Sequence, residues 1–236
     1  MGRERAMNST NVRLALGGFA IVAWAAAASG ALYTGNLSTS GGGLTGTGVW
    51  ADGTTLSWSV DDETSPGFWH YSYTFEVADG RGSGISHAIF EASLGLTADD
   101  LFKVSGPSEV DEFGDEGNSN PHIPGTFYGV KFQADGEDGE LTLNVSFDSL
   151  RNPVWGDFYA KGGSSGSGQD QTFNAAWNDG FGDPDSDPFD PPADGSVGSH
   201  VLVPDTFEIP EPSSLALVVV GASAVALRRW RRSERA

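Results

Sequence analysis

The stretch FWHYSYTFEV, Phe68 to Val77, alternates bulky apolar and small polar residues without a break. Trp69, Tyr71, Tyr73, Phe75 and Val77 fall on one side, and His70, Ser72, Thr74 and Glu76 on the other. A strict period of two over this length marks a β-strand with one buried face. Two neighbouring stretches carry the same signature. TTLSWSV points Leu56, Trp58 and Val60 inward, and ELTLNVSF points Leu141, Leu143, Val145 and Phe147 inward. FYGVKFQA adds Tyr128, Val130 and Phe132. Shorter apolar runs at Gly48–Trp50, Ile85–Ser93, Leu101–Val104, Pro153–Lys161 and His200–Val203 are further strand candidates.

Turn chemistry separates these runs. ADGTT, ADGRGSG, DGEDGE and KGGSSGSG supply glycines that accept positive φ. ADGEDGE, between Phe132 and Leu141, reads as a hairpin connection that would pair the strands on either side. LTADDLF reads as a short helical turn capped by Thr97, with Asp99 and Asp100 at its start. Eight or nine short strands with frequent turns predict an all-β fold. An antiparallel β-sandwich or jelly roll is the first expectation and a closed barrel the second. Residues Gly162–Pro192, rich in Gly, Ser, Asp and Pro, read as a long loop pinned by Phe173, Trp177, Phe181 and Phe189.

Charge narrows the function. The span Leu32 to Ile209 holds five basic residues (Arg81, Lys103, Lys131, Arg151, Lys161) and 29 of the 32 acids, a formal charge of −24. Such a surface repels phosphate and excludes nucleic-acid binding. The chain has no cysteine, which excludes disulfides, thiolate metal sites and cysteine nucleophiles.

The two ends differ from the middle. Arg3, Arg5 and Arg13 precede the apolar run Leu14–Ala28, and Ser29, Gly30 and Ala31 follow it. A charged start, a short apolar stretch and a small-x-small exit predict a signal peptide over 1–31, cleaved after Ala31. The competing reading is an uncleaved anchor, for which about 22 Å of helix falls short of a ~30 Å hydrocarbon core. At the other end stand Pro210-Glu211-Pro212, the apolar run Leu215–Leu227, and Arg228, Arg229, Arg231 and Arg232 around Trp230. The arginines resist crossing a membrane and read as a stop-transfer cluster behind a short transmembrane helix. This tail, 209–236, resembles the PEP-CTERM sorting signal of Gram-negative bacteria, with all three parts in order. The resemblance implies that Pro210, Glu211 and Pro212 are the motif recognised by an exosortase, a membrane transpeptidase-like enzyme. It also implies that the intervening domain, 32–208, is delivered to the cell surface or extracellular matrix. The stretches ISHAIFEAS, GTFYGVKF, PVWGDFYAKGG and HVLVPDT resemble the bodies of uncharacterised exported proteins with this tail, and imply no activity. The expected partners are signal peptidase, an exosortase, the membrane before processing, and exopolysaccharide in the matrix.

Within the domain the candidates for chemistry are few. In DPDSDPFDPPAD, Asp183, Asp185, Asp187 and Asp194 take positions 1, 3, 5 and 12 of an EF-hand count, a candidate calcium loop. Pro188 stands where that loop needs glycine, and a solvated acidic loop is the competing reading. DEFGDEGNSN, Asp111 to Asn120, reads as a second acidic loop and a second calcium candidate, with a solvated loop again the competing reading. Gly162-Gly163-Ser164-Ser165-Gly166 matches G-x-S-x-G but lacks a helix to follow it. His70, His87, His122 and His200 show no zinc spacing and read as surface residues. Trp155, Tyr159 and Trp177 are the candidate exposed platforms for stacking on sugar rings. No catalytic constellation and no other cofactor is expected. A structural or adhesive surface protein leads, with a calcium-assisted carbohydrate-binding module and a secreted polysaccharide hydrolase behind it.

Overall fold

The alternation of the central stretches becomes a sheet in the computed structural model, which describes residues 30–78, 84–115, 119–134, 140–166, 171–183 and 190–204. The strands are β1 (Leu32–Ser38), β2 (Leu44–Gly46), β3 (Thr55–Asp61), β4 (Trp69–Glu76), β5 (Ile85–Glu91) and β6 (Ser108–Phe113). They continue as β7 (Phe127–Gln133), β8 (Thr142–Ser149), β9 (Pro153–Gly156), β10 (Phe158–Ser165), β11 (Thr172–Asn178) and β12 (Val201–Pro204). A four-stranded sheet has the order β1-β3-β4-β8 and a six-stranded sheet the order β2-β11-β10-β5-β7-β6. β12 and β9 form a two-stranded sheet. All these pairings are antiparallel.

The register of the small sheet stacks its apolar residues in rows. Tyr33, Val60, Tyr71 and Phe147 form one row, and Leu37, Leu56, Phe75 and Leu143 another. Between them lie Gly35, Trp58, Tyr73 and Val145. Gly35 has to be glycine, because the Trp58 ring occupies the space of its missing Cβ. The inner face of the large sheet answers with Phe90, Phe132 and Phe158 and with an alanine row, Ala176, Ala160 and Ala88. These small residues leave room for the rings of Trp50 and Phe75, which meet edge to face at 5.4 Å. Across the interface Tyr73 stacks on Phe90 at 3.9 Å and Phe132 on Phe147 at 5.8 Å, while Phe75 meets Phe158 at 5.3 Å. The Tyr73 hydroxyl donates to the Leu202 carbonyl at 2.7 Å, which ties β12 to the core. The described chain is therefore a two-sheet sandwich closed by aromatic contacts.

Three of the four outer strands of the two main sheets have covered or charged edges. On β1, Thr34 N donates to Asp194 Oδ1 at 2.9 Å and Gly195 N to the Thr34 carbonyl at 2.7 Å. Beside β8, Phe102 and Asp148 exchange backbone bonds at 2.8 Å, and Ser105 N donates to the Ser146 carbonyl at 2.9 Å. β6 carries Glu109, Asp111 and Glu112.

Several expectations need correction. Gly48–Trp50 is a 3-10 turn that buries Trp50, not a strand. Leu101–Val104 makes one bridge, at Phe102, because its role is to cover the β8 edge. β7 and β8 do not pair: β7 lies between β5 and β6, and β8 pairs with β4 in the opposite sheet. The two strands lie in different sheets and form no hairpin. Residues Gly162–Pro192 are not one loop, since they hold the end of β10 and all of β11, which pairs on both sides. A register shift after Lys161 marks a bulge in β10, where the Trp50 ring lies against Gly162 and would collide with any Cβ. Leu141 is exposed rather than inward. The turn at Thr97 forms as expected, with Asp100 Oδ2 accepting from Thr97 N at 2.8 Å and Thr97 Oγ1 at 2.9 Å. Of the signal segment expected over 1–31, residues 1–29 lie outside the described residues, as does the whole tail expected over 209–236, with its motif, helix and arginines.

Because Phe147 is fully buried between two stacked rings, Phe147→Ala is expected to cost about 3–5 kcal/mol in urea unfolding. Leu141→Ala, on the exposed surface, is expected to move stability by no more than about 0.5 kcal/mol.

Candidate functional site

The densest polar cluster surrounds Asp148, whose side chain is 1% exposed at the end of β8. Its Oδ1 meets His70 Nδ1 at 2.7 Å, and its Oδ2 accepts from Ser65 Oγ at 2.7 Å and pairs with Lys103 Nζ at 2.8 Å. The local sequence explains the meeting. The β4–β8 register sets His70 opposite Asp148, and the Phe102 bridge sets Lys103 beside it. Lys103 adopts φ 49°, a conformation rare for a side chain of this kind, to reach the carboxylate. Burial alone would raise the Asp148 pKa. The bonds from Lys103, His70 and Ser65 outweigh it and hold the carboxyl below its ordinary value.

Ser65, His70 and Asp148 are the residue types of a hydrolase triad, but their order is wrong for one. A nucleophilic serine hands its proton to the histidine. Here Ser65 donates to the carboxylate and also accepts from Lys103 Nζ at 2.9 Å, so nothing activates its oxygen. The arrangement is a charge clamp joining the loop before β4, the end of β8 and the segment covering the β8 edge.

A second cluster lies between the β9–β10 junction and the turn before β12. Asp157 accepts from Asn178 Nδ2 and from Gly182 N, each at 2.8 Å. Its own N donates to Glu91 Oε2 at 2.7 Å, and Asn178 Oδ1 accepts from Phe158 N at 2.7 Å. His200 Nε2, fully buried, lies 3.8 Å from Asp157 Oδ1. The group grips the first residues of the acidic loop from below.

The third lies on the outer face of the large sheet. His87 Nε2 and Asn120 Oδ1 are 3.0 Å apart, and Asn120 Nδ2 donates to the Gly114 carbonyl at 3.1 Å. The amide orientation makes Oδ1 the acceptor, so Nε2 carries the proton of a neutral imidazole. Burial, reinforced by the charges of Lys131 and Lys161, pushes the His87 pKa down to about 4 against the Asn120 bond, which favours the charged form. Tyr159 OH donates to the Pro121 carbonyl at 2.8 Å, and burial raises its pKa, with help from Asp115. Burial and the like charge of Lys131 lower the pKa of Lys161. Gly114 and the segment 119–123 are thereby fastened across the sheet, over a small apolar cluster of Ile89, Phe113, Ile123, Phe127 and Ala175.

The nominated residues can now be placed. Trp155 and Tyr159 are buried, so neither offers a ring face to a sugar. Trp155 Nε1 donates to the Pro191 carbonyl at 3.3 Å, which makes it an anchor for the acidic loop. Trp177 is half-buried against Tyr159's cluster. Of the calcium candidates, Asp185 and Asp187 lie outside the described residues. Asp183 N donates to the Gly180 carbonyl at 2.9 Å, and Asp194 takes the backbone and hydroxyl of Thr34 through Oδ1. Among the described residues no group of three or more His, Asp or Glu is placed to hold a metal ion. His87 and His200 are buried rather than superficial, His70 is half-buried, and His122 is exposed. The G-x-S-x-G match lies in β10 and its end, with its serines in a strand rather than at an elbow. No protein-family model, curated protein or solved structure matches the chain.

In the unfolded chain His87 takes its proton near pH 6.5, and in the folded protein only near pH 4. Between those values the unfolded state binds the extra proton. Its contribution is complete above pH 6.5 and falls, by about 3 kcal/mol in all, as the pH drops to about 4. Denaturation midpoints across this window should therefore be flatter for His87→Gln than for the parent protein. Asp148→Ala removes the centre of the clamp, but the exposed Lys103 ammonium turns to water and Ser65. Calorimetry should register a loss of about 1–2 kcal/mol.

Proposed function

We propose that this chain is an exported protein of the cell surface or extracellular matrix, released from its membrane tail by an exosortase. The domain between the signals acts there as a structural or adhesive element. One observation carries the reading. A segment with the order of a signal peptide stands before the sandwich, and a Pro-Glu-Pro, apolar and arginine tail stands after it. β1 begins at Leu32, directly after the expected cleavage point, and the motif at 210–212 follows the last described strand, β12 (Val201–Pro204), in the sequence. Proline on either side of Glu211 keeps the motif extended for an enzyme to read.

The domain's own residues support a passive role better than a catalytic one. Its buried carboxylates Asp148 and Asp157 are engaged by fixed donors, and the serine beside Asp148 is not activated. Burial of Trp155 and Tyr159 removes two of the three rings on which a sugar-stacking platform would have relied.

Expressed in a host with an exosortase, the mature protein is expected by mass spectrometry to lack both Leu14–Ala28 and Leu215–Arg232. Replacing Pro210, Glu211 and Pro212 together by alanine should leave the tail attached and the protein in the membrane fraction. A released product that retains both apolar segments would overturn the proposal.

A further inference from the structure

Four of the exposed large apolar residues gather at one pole of the sandwich. Leu32 is 58% exposed, Leu94 76%, Phe102 40% and Leu150 54%. Their positions follow from the register. Leu32 pairs with Asp61, Asp61 with His70, and His70 with Asp148, so the start of β1 and the end of β8 share one end of the small sheet. Phe102 bridges Asp148 and meets Phe68, just before β4, at 5.0 Å. Leu150 lies between Ser149, whose Oγ donates to the Asp100 carbonyl at 2.9 Å, and Arg151, paired with Asp100 at 3.0 Å. Ser93 N reaches the Pro204 carbonyl at 3.5 Å, which brings Leu94 to the same end. Leu141, 39% exposed, is at the opposite end, beside the register pair Glu76 and Thr142.

The first described strand begins and the last one ends at this same pole: Leu32 pairs with Asp61, and Pro204 with Pro153, whose neighbour Asn152 accepts from Trp69 Nε1. Only ten residues, 205–214, separate Pro204 from the apolar run Leu215–Leu227. Fully extended, they reach at most about 35 Å. A tether of this length starts from Pro204, on the side that bears the exposed leucines, and keeps that side within reach of the membrane.

We infer that the pole formed by Leu32, Leu94, Phe102 and Leu150 rests on the bilayer that holds the tail, so that the domain docks on lipid before it is cut free. The inference rests on the anchored state proposed above. The partner is the headgroup and upper acyl region of a lipid surface, into which leucine and phenylalanine side chains partition. Zwitterionic lipid suits it better than anionic lipid. The two basic residues of the pole, Lys103 and Arg151, are already paired with Asp148 and Asp100, and Asp61, Asp62, Glu63 and Asp99 stand nearby in the chain. Tethering keeps the local concentration high, so four side chains suffice where they would not hold a free protein.

The absence of cysteine makes a direct test simple. The full chain is prepared as Leu94→Cys, Leu150→Cys and Leu141→Cys, each labelled with an environment-sensitive fluorophore and reconstituted in phosphatidylcholine vesicles. Flotation reports anchoring. Fluorescence with and without doxyl-labelled lipid reports contact. The expected result is co-flotation, with a blue shift and about twofold quenching at 94 and 150 and neither at 141. A chain that does not float removes the anchored state, and with it the docking. A chain that floats while the probes at 94 and 150 report water overturns the docking alone. A blue shift without quenching, growing with protein density, assigns the pole to a second copy of the chain and also overturns it.

Discussion

The stacking of Tyr73 on Phe90 is the contact that the rest of the molecule depends on. It joins the central strands of the two sheets, and both rings continue into further contacts: Tyr73 toward Phe147, and Phe90 toward Phe132 and Phe158. A chain with a formal charge of −24 between its ends pays a repulsive cost for compactness. No disulfide offsets that cost. What holds the sheets together is a continuous aromatic seam, fully removed from water, where each ring contributes both buried area and an oriented contact. The buried carboxylates are placed around this seam, at its ends, where fixed donors can satisfy them.

The small sheet could be read directly from the chain. Its outer face is open to water and its inner face is buried, so β3, β4 and β8 alternate cleanly and the sequence shows the period. The large sheet could not be read this way. Its inner face meets the aromatic seam, while its outer face carries Ile89, Tyr159 and Ala175 beside Phe113, Pro121 and Ile123. β5 is consequently buried at four successive positions, from His87 to Phe90, and loses its period. β11, with the sequence TFNAAWN, is short, rich in alanine and embedded in a glycine-rich region, so composition argued for a loop. The false hairpin between β7 and β8 has a related cause. A glycine-rich turn signals that the chain bends, but not whether it returns to the same sheet or crosses to the other.

The polar clusters were harder still. His87 and His200 looked superficial because histidine usually is. Their burial is set by partners 33 and 43 residues away in the chain, Asn120 and Asp157. Asn120 sits in an acidic stretch that suggested a solvated loop, and its role depends on the amide bond to Gly114. The Asp148 clamp had a faint signal, since His70 and Asp148 both occupy polar positions of well-predicted strands. Pairing those strands in register would have placed them opposite each other. Trp155 and Tyr159 gave the reverse lesson: large aromatic rings in a chain this poor in other core material are spent on the interior.

The covered borders of β1 and β8 and the acids of β6 have a consequence for how copies of this molecule meet. An open strand border invites another chain to add itself, and fibres grow that way. Here Asp194 and Gly195 occupy the border of β1, Phe102 and Ser105 that of β8, and acids line β6. At these borders two copies brought close together find no free row of backbone donors and acceptors to share, so crowding alone does not join them into a ribbon.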